Sequence, residues 1–247
     1  MATLGTRVVF VSSLVSVLSG CAGQLEAPIP TAAYGGDGDH ARALVIMLPG
    51  AGDRVGTYDK HGFVQTMRDS GMDVDMLEVD AHIGYYRSRT LLERLEHDVL
   101  APNRDRYEEI WLVGISMGGL GALLTTWTYP EEVDGLILMA PYLGRRKILG
   151  EIERAGGLAA WQPPAEIDDA RWDIEIWRML QQISAQQGAG ETELYLMYGE
   201  DDFGARAHRI LAGGLPVSHV KTAPGGHAWG TWTTLWNALM SESPIAS

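Results

Sequence analysis

The chain has 247 residues, 46% of them hydrophobic and 21% charged, a balance that suits one soluble globular domain with a sizeable core rather than a fibre or a disordered tail. With 19 Lys plus Arg against 32 Asp plus Glu the formal charge is −13, so no basic surface is available to neutralise the phosphates of a nucleic acid. One cysteine, Cys21, and the lack of any CxxC pair or HExxH helix exclude a disulfide scaffold and the common zinc frameworks.

Residues 8–18 are apolar apart from serines and follow a lone charge, Arg7. As a helix this stretch is too short to cross about 30 Å of hydrocarbon, and residues 1–20 read as a signal peptide. It ends in Leu18-Ser19-Gly20-Cys21, which resembles the lipobox of bacterial lipoproteins. The resemblance implies cleavage before Cys21, lipid on that cysteine, and a protein anchored to a membrane of the bacterial cell envelope and facing the periplasm. A plain small-residue cleavage site with Cys21 as a bystander, or a misassigned start, is the alternative. Without residues 1–20 the chain keeps 18 basic and 32 acidic residues, so attachment to an anionic surface depends on the lipid.

Residues 21–41, with Pro28, Pro30 and the run Gly35-Gly36-Asp37-Gly38-Asp39, lack apolar periodicity and read as a tether with a turn-rich end. Residues 42–247 read as a single domain. Short apolar, β-rich runs at 43–48, 74–79, 109–113, 136–139, 194–198 and 217–222 alternate with helical stretches at 61–70, 91–100, 120–129 and 233–240. That alternation predicts an α/β fold, a mostly parallel, doubly wound sheet covered on both faces. Residues 144–190 interrupt the rhythm with two helical pieces, near 145–155 and 171–187, carrying Trp161, Trp172, Trp177 and Met179. This small helical insertion is either a lid over a pocket or packing that closes one edge of the sheet.

Between the run at 109–113 and the helix at 120–129 lies Gly114-Ile115-Ser116-Met117-Gly118, a G-x-S-x-G in the strand-to-helix setting that a nucleophile elbow requires. Such a turn strains Ser116 with its hydroxyl exposed, and side chains at 114 and 118 would collide with the adjoining strand and helix. Serine needs a base that is itself held by an acid. The run at 194–198 ends in Gly199-Glu200-Asp201-Asp202, placing carboxylates where open α/β sheets build their sites. The run at 217–222 leads to Ala223-Pro224-Gly225-Gly226-His227, and His227 alone among seven histidines follows a late strand in a Gly-rich loop. Ser116, acid, His227 is the chain order of α/β-hydrolases.

On these pieces, together with Leu48-Pro49-Gly50-Ala51-Gly52 and Gly225-Gly226-His227-Ala228-Trp229, the chain resembles the α/β-hydrolase superfamily over nearly all of residues 42–247. The resemblance implies a sheet of the α/β-hydrolase type. In that family the acid commonly follows the glycine by three positions, which implies Asp202 rather than Asp201. It also implies an oxyanion hole made by the amides of Met117 and Ala51, with Pro49 standing where many members have a histidine. His227-Ala228-Trp229-Gly230-Thr231-Trp232 is similar to the H-x-W-x-x-W ending of esterase-type members; Trp229 and Trp232 either wall an acyl pocket or pack the last helix.

Three other readings compete for the same residues. Gly50-Ala51-Gly52-Asp53-Arg54-Val55-Gly56 nearly spells a dinucleotide fingerprint, with Glu78 or Asp80 as the ribose acid, but its last glycine comes one residue late. Asp80 and His82 are a possible metal or pocket pair, and 85–89 a possible pocket rim. The leading expectation is a serine hydrolase that cleaves a small-molecule carboxylic ester or thioester through an acyl-enzyme on Ser116, without cofactor or metal. The acidic surface biases it weakly against anionic substrates. A lipid-anchored, non-catalytic binding protein on the same fold is the alternative.

Overall fold

The computed structural model describes residues 25–35, 41–167, 171–188 and 192–245. The expected signal peptide over 1–20 and the expected lipid attachment at Cys21 fall outside the described residues. Among the described residues no helix is long and apolar enough to cross a membrane.

Seven strands, β1 Thr31–Tyr34, β2 Ala43–Leu48, β3 Val74–Val79, β4 Glu109–Ile115, β5 Gly135–Met139, β6 Glu193–Gly199 and β7 Val220–Ala223, form one sheet in the order β1-β3-β2-β4-β5-β6-β7. All neighbours are parallel except β1, which runs antiparallel along β3 with Thr31 opposite Val79. Every residue of β2 and β5 is buried, as expected of central parallel strands covered on both faces. The period-two alternation divides β2 between two apolar layers. Leu44, Ile46 and Leu48 join one layer, Ala43, Val45 and Met47 the other.

The helices are α1 Thr57–Lys60, α2 Phe63–Ser70, α3 Ile83–Ser88, α4 Leu91–Leu95, α5 Met117–Thr128, α6 Leu149–Arg154, α7 Trp172–Ala185, α8 Ala205–Ala212 and α9 Trp229–Met240. Helices α3 to α8 contribute to the first layer, where Leu120, Leu123 and Trp177 meet Leu138 and Leu196. Helices α1, α2 and α9 cover the second, with Phe63 stacked on Trp236 at 5.0 Å. The doubly wound expectation holds.

The elements expected from sequence differ mainly at their ends, while α1 and α3 were not among them. Gly62, at φ +83°, delays the start of α2, and α5 and α9 begin three or four residues early because each springs directly from a site loop. The expected strand at 217–222 starts only at Val220, after a short 3-10 turn in which Val217 is 90% exposed.

The stretch read as a tether requires correction. Ile29 is buried, its amide donates to Asp98 Oδ2 at 2.8 Å, and residues 31–34 pair with β3. An edge strand needs backbone hydrogen bonds on one side, so it carries little of the apolar periodicity that marks inner strands. The insertion divides between its two readings. In α7, Ile174, Ile176, Trp177, Leu180 and Ile183 are buried in the first layer, making it the packed crossover from β5 to β6. Gly144, Arg146 and Leu149 instead line a cleft.

Candidate active site

Ser116 joins β4 to α5 at φ +55°, ψ −113°, a left-handed conformation rarely adopted by a residue with a side chain. Its amide donates to Met139 O at 2.9 Å, and its carbonyl accepts from the Tyr142 amide at 2.8 Å. A Cβ at 114 would run into the Gly118 backbone, and one at 118 into the Leu48 carbonyl, so both glycines are required by close backbone approach.

The loops after β6 and β7 bring the other two groups to this turn. His227 Nε2 lies 3.0 Å from Ser116 Oγ, and His227 Nδ1 lies 2.7 Å from Asp202 Oδ2. A carboxylate only accepts, so Nδ1 carries the proton and Nε2 is left to accept from the serine hydroxyl. Asp202 is buried, and its Oδ1 accepts from the Gly204 amide at 2.7 Å. Burial pushes its carboxyl up, but the hydrogen bonds from His227 and Gly204 outweigh it and leave the pKa below the usual carboxylate value. Asp201 is exposed and is not the partner of His227.

Met117, as the first residue of α5, has an amide without an intrahelical acceptor, beside Ser116. Ala51 stands in an exposed turn closed by the Asp53 amide on Gly50 O at 3.1 Å, and a Cβ on Gly50 would lie 3.9 Å from Ser116 Cβ. This loop is clamped by two buried acids at the end of β3. Glu78 accepts from the amides of Gly56 at 2.6 Å and Asp59 at 2.8 Å. Asp80 accepts from Arg54 Nε at 2.7 Å and from the Val55 amide at 3.1 Å. Both carboxylates are thereby committed to the loop, which removes the ribose acid that a dinucleotide reading needs.

Of the pair considered for a metal, Asp80 is held by Arg54 and His82 Nδ1 accepts from the Gly84 amide at 3.1 Å. Tyr85 and Tyr86 are buried rather than on a pocket rim, Tyr85 Oη donating to Glu26 O at 3.0 Å and Tyr86 Oη to Met117 O at 2.9 Å, behind the elbow. Trp229 stacks on His61 at 4.2 Å, and Trp232 meets the His227 ring edge-on at 4.9 Å, so both pack in an aromatic cluster. The clamp formed by Glu78 and Asp80 was not anticipated from sequence; its signal was a pair of acids at the C-terminal end of β3.

A cleft of about 310 Å³ opens beside Ser116 and His227. Its walls include Leu143, Leu149, Phe203 and Ala207, and His208 lies in its lining, buried, with Nε2 3.0 Å from Pro141 O.

Residues 89–164 match the family model described as serine aminopeptidase, S33. No curated protein sequence matches the chain. Among solved structures, S-formylglutathione hydrolase from Staphylococcus aureus aligns at 12% identity, covering 83% of this chain and 81% of its own, with a TM-score of 0.57. The monoacylglycerol lipase of Paleococcus ferrophilus aligns at 15% identity over 87% and 98% of the two chains, with a TM-score of 0.54. Est1E from Butyrivibrio proteoclasticus aligns at 19% over 87% and 93%, with a TM-score of 0.53. With its strand order and serine elbow, the chain has the α/β-hydrolase fold.

Proposed function

We propose that the protein is a serine hydrolase that cleaves a small-molecule carboxylic ester or thioester through an acyl-enzyme on Ser116. The observation that carries this reading is the continuous hydrogen-bonded chain from Ser116 Oγ through His227 to buried Asp202. His227 Nε2 takes the serine proton as Oγ attacks the carbonyl carbon, and the C–O or C–S bond then breaks as the imidazolium returns the proton to the leaving group. Water, deprotonated by the same nitrogen, attacks the acyl-enzyme and releases the acid. Asp202 holds the tautomer and stabilises the imidazolium. The amides of Met117 and Ala51 are proposed to receive the oxyanion, with the Glu78 and Asp80 clamp keeping the second in place.

The likeness to structures named as hydrolases and a lipase, and of residues 89–164 to serine aminopeptidases, supports the reaction class. The cleft's apolar walls beside Ser116 support a small acyl substrate. The same proposal places lipid on Cys21 and the domain at an envelope membrane. A fluorophosphonate probe tests the chemistry: labelling of the wild type that disappears in Ser116→Ala supports the hydrolase. Folded protein that takes no label supports a non-catalytic binding protein instead.

A further inference from the structure

The charge of the cleft runs opposite to that of the chain. Against a formal charge of −13, the described lining residues include two arginines, Arg146 and Arg206, and one carboxylate, Asp202, whose side chain is covered and bound to His227. At physiological salt, charges more than about 8 Å away are largely screened, so groups within the cleft decide what charge it accepts.

The two arginines are not equivalent. Arg206 is held side-on by Glu153, with Nε 2.9 Å from Oε1 and Nη2 2.6 Å from Oε2, and its charge is balanced. Arg146, at the start of the 3-10 turn Arg146–Ile148 that leads into α6, has no carboxylate partner among the described residues. Its Nη2 donates at 2.8 Å to the carbonyl of Phe203. The ring of Phe203 in turn lies 4.4 Å from the His227 ring, so the guanidinium is tied to a residue in contact with the base. A neutral carbonyl uses one of five N–H donors and balances none of the charge, which leaves the rest of the planar fork to meet a planar anion.

We propose that the substrate carries a carboxylate in addition to its scissile ester or thioester, and that Arg146 is the residue that selects it. This rests on the serine hydrolase reading and narrows its substrate class. An exposed guanidinium paired with a carboxylate on one open side gives a preference of about 2- to 5-fold, shrinking as salt is added.

The test uses two pairs of probe esters that differ only in charge. 4-Nitrophenyl hemisuccinate against its methyl ester places the carboxylate on the acyl side, and 3-acetoxybenzoate against its methyl ester places it on the leaving group. The expected result is a higher kcat/KM for the anionic member of at least one pair. That ratio should fall about 2- to 5-fold in Arg146→Gln, be largely kept in Arg146→Lys, and drop further in Arg146→Glu. Taking the ratio cancels any general loss from freeing Phe203. Hydrolysis of neutral esters with no preference for the anion in either pair, or a ratio that ignores the charge at 146, overturns this inference while the hydrolase stands. Absence of turnover together with absence of fluorophosphonate labelling overturns both.

Discussion

The phenolic hydroxyl of Tyr86 donates to the carbonyl of Met117 at 2.9 Å, tying α3 to the first residue of α5 from beneath the serine turn. One turn along α5, Gly121 makes room for that phenol: a Cβ there would press on Tyr86 Oη. Burial raises the Tyr86 pKa, so the group stays a neutral donor at any working pH.

Gly121→Ala should therefore destabilise the fold by roughly 1–3 kcal/mol despite alanine's better helix propensity, because overpacking outweighs it. Tyr86→Phe should cost about 1 kcal/mol for the lost hydrogen bond. In the double variant the oxygen that blocks the new methyl is gone, so the combined loss should be smaller than the sum of the two. Urea unfolding of all four proteins measures this coupling, and strict additivity would show that the phenol is not the obstacle.

The hydrogen-bonded chain at the site sets the expected mutational pattern. Ser116→Ala and His227→Ala should each remove nearly all ester hydrolysis, with the double variant little worse, because the groups act as a unit. Asp202→Asn should lose about 10⁴-fold in kcat, as the analogous change does in serine proteases. Asp201→Asn, at an exposed carboxylate, should stay near wild type. Steady-state rates on a short-chain nitrophenyl ester decide it; a larger loss at 201 than at 202 would reverse the assignment.

The inner strands and the serine turn could be read from sequence because their constraints are local. A six-residue apolar run has few alternatives to a central strand, and Gly114 and Gly118 record a backbone clash that a side chain would create at once. The meeting of Ser116 with His227, 111 residues apart, was inferable from chain order and loop composition, and the structure brings them within 3.0 Å. What escaped was held by long-range contacts with no local pattern. β1 is an edge strand defined by its neighbour, and Glu78 and Asp80 look like any strand-end acids until the loop amides they receive are known. Tyr86 serves the elbow from a stretch whose polar composition suggests a surface.

His208 gives the stability a pH dependence. Burial lowers its pKa below the ordinary 6.5 more than the Pro141 carbonyl and the Asp202 carboxylate raise it. The unfolded chain takes up a proton near pH 6.5 and the folded one does so only at lower pH, so this group's contribution is complete above about 6.5 and declines as pH falls. His208→Gln keeps an amide donor for Pro141 and removes the titration. Urea midpoints between pH 7.5 and 5 should show the wild type losing ground to the variant as the solution is acidified. Parallel curves would mean that His208 binds its proton equally well in the folded and the unfolded chain.

The proposed anchor makes the final prediction, and its motive is the coincidence of the apolar stretch at 8–18 with Leu18-Ser19-Gly20-Cys21 and the absence of any other cysteine. Cys21→Ser should block lipid attachment. Because the remaining chain is strongly acidic, no polybasic patch replaces the lipid on an anionic membrane, so the unlipidated domain, freed of residues 1–20, should fractionate as soluble protein. It should still hydrolyse esters, since Ile29 and the strand at 31–34 seal the edge of the sheet from residues beyond the anchor. A chain trimmed past residue 34, by contrast, should lose stability along with its edge strand. Membrane fractionation of cells fed labelled fatty acid tests the anchor: wild-type protein recovered wholly soluble and unlabelled, with Cys21 a free thiol, would reject it.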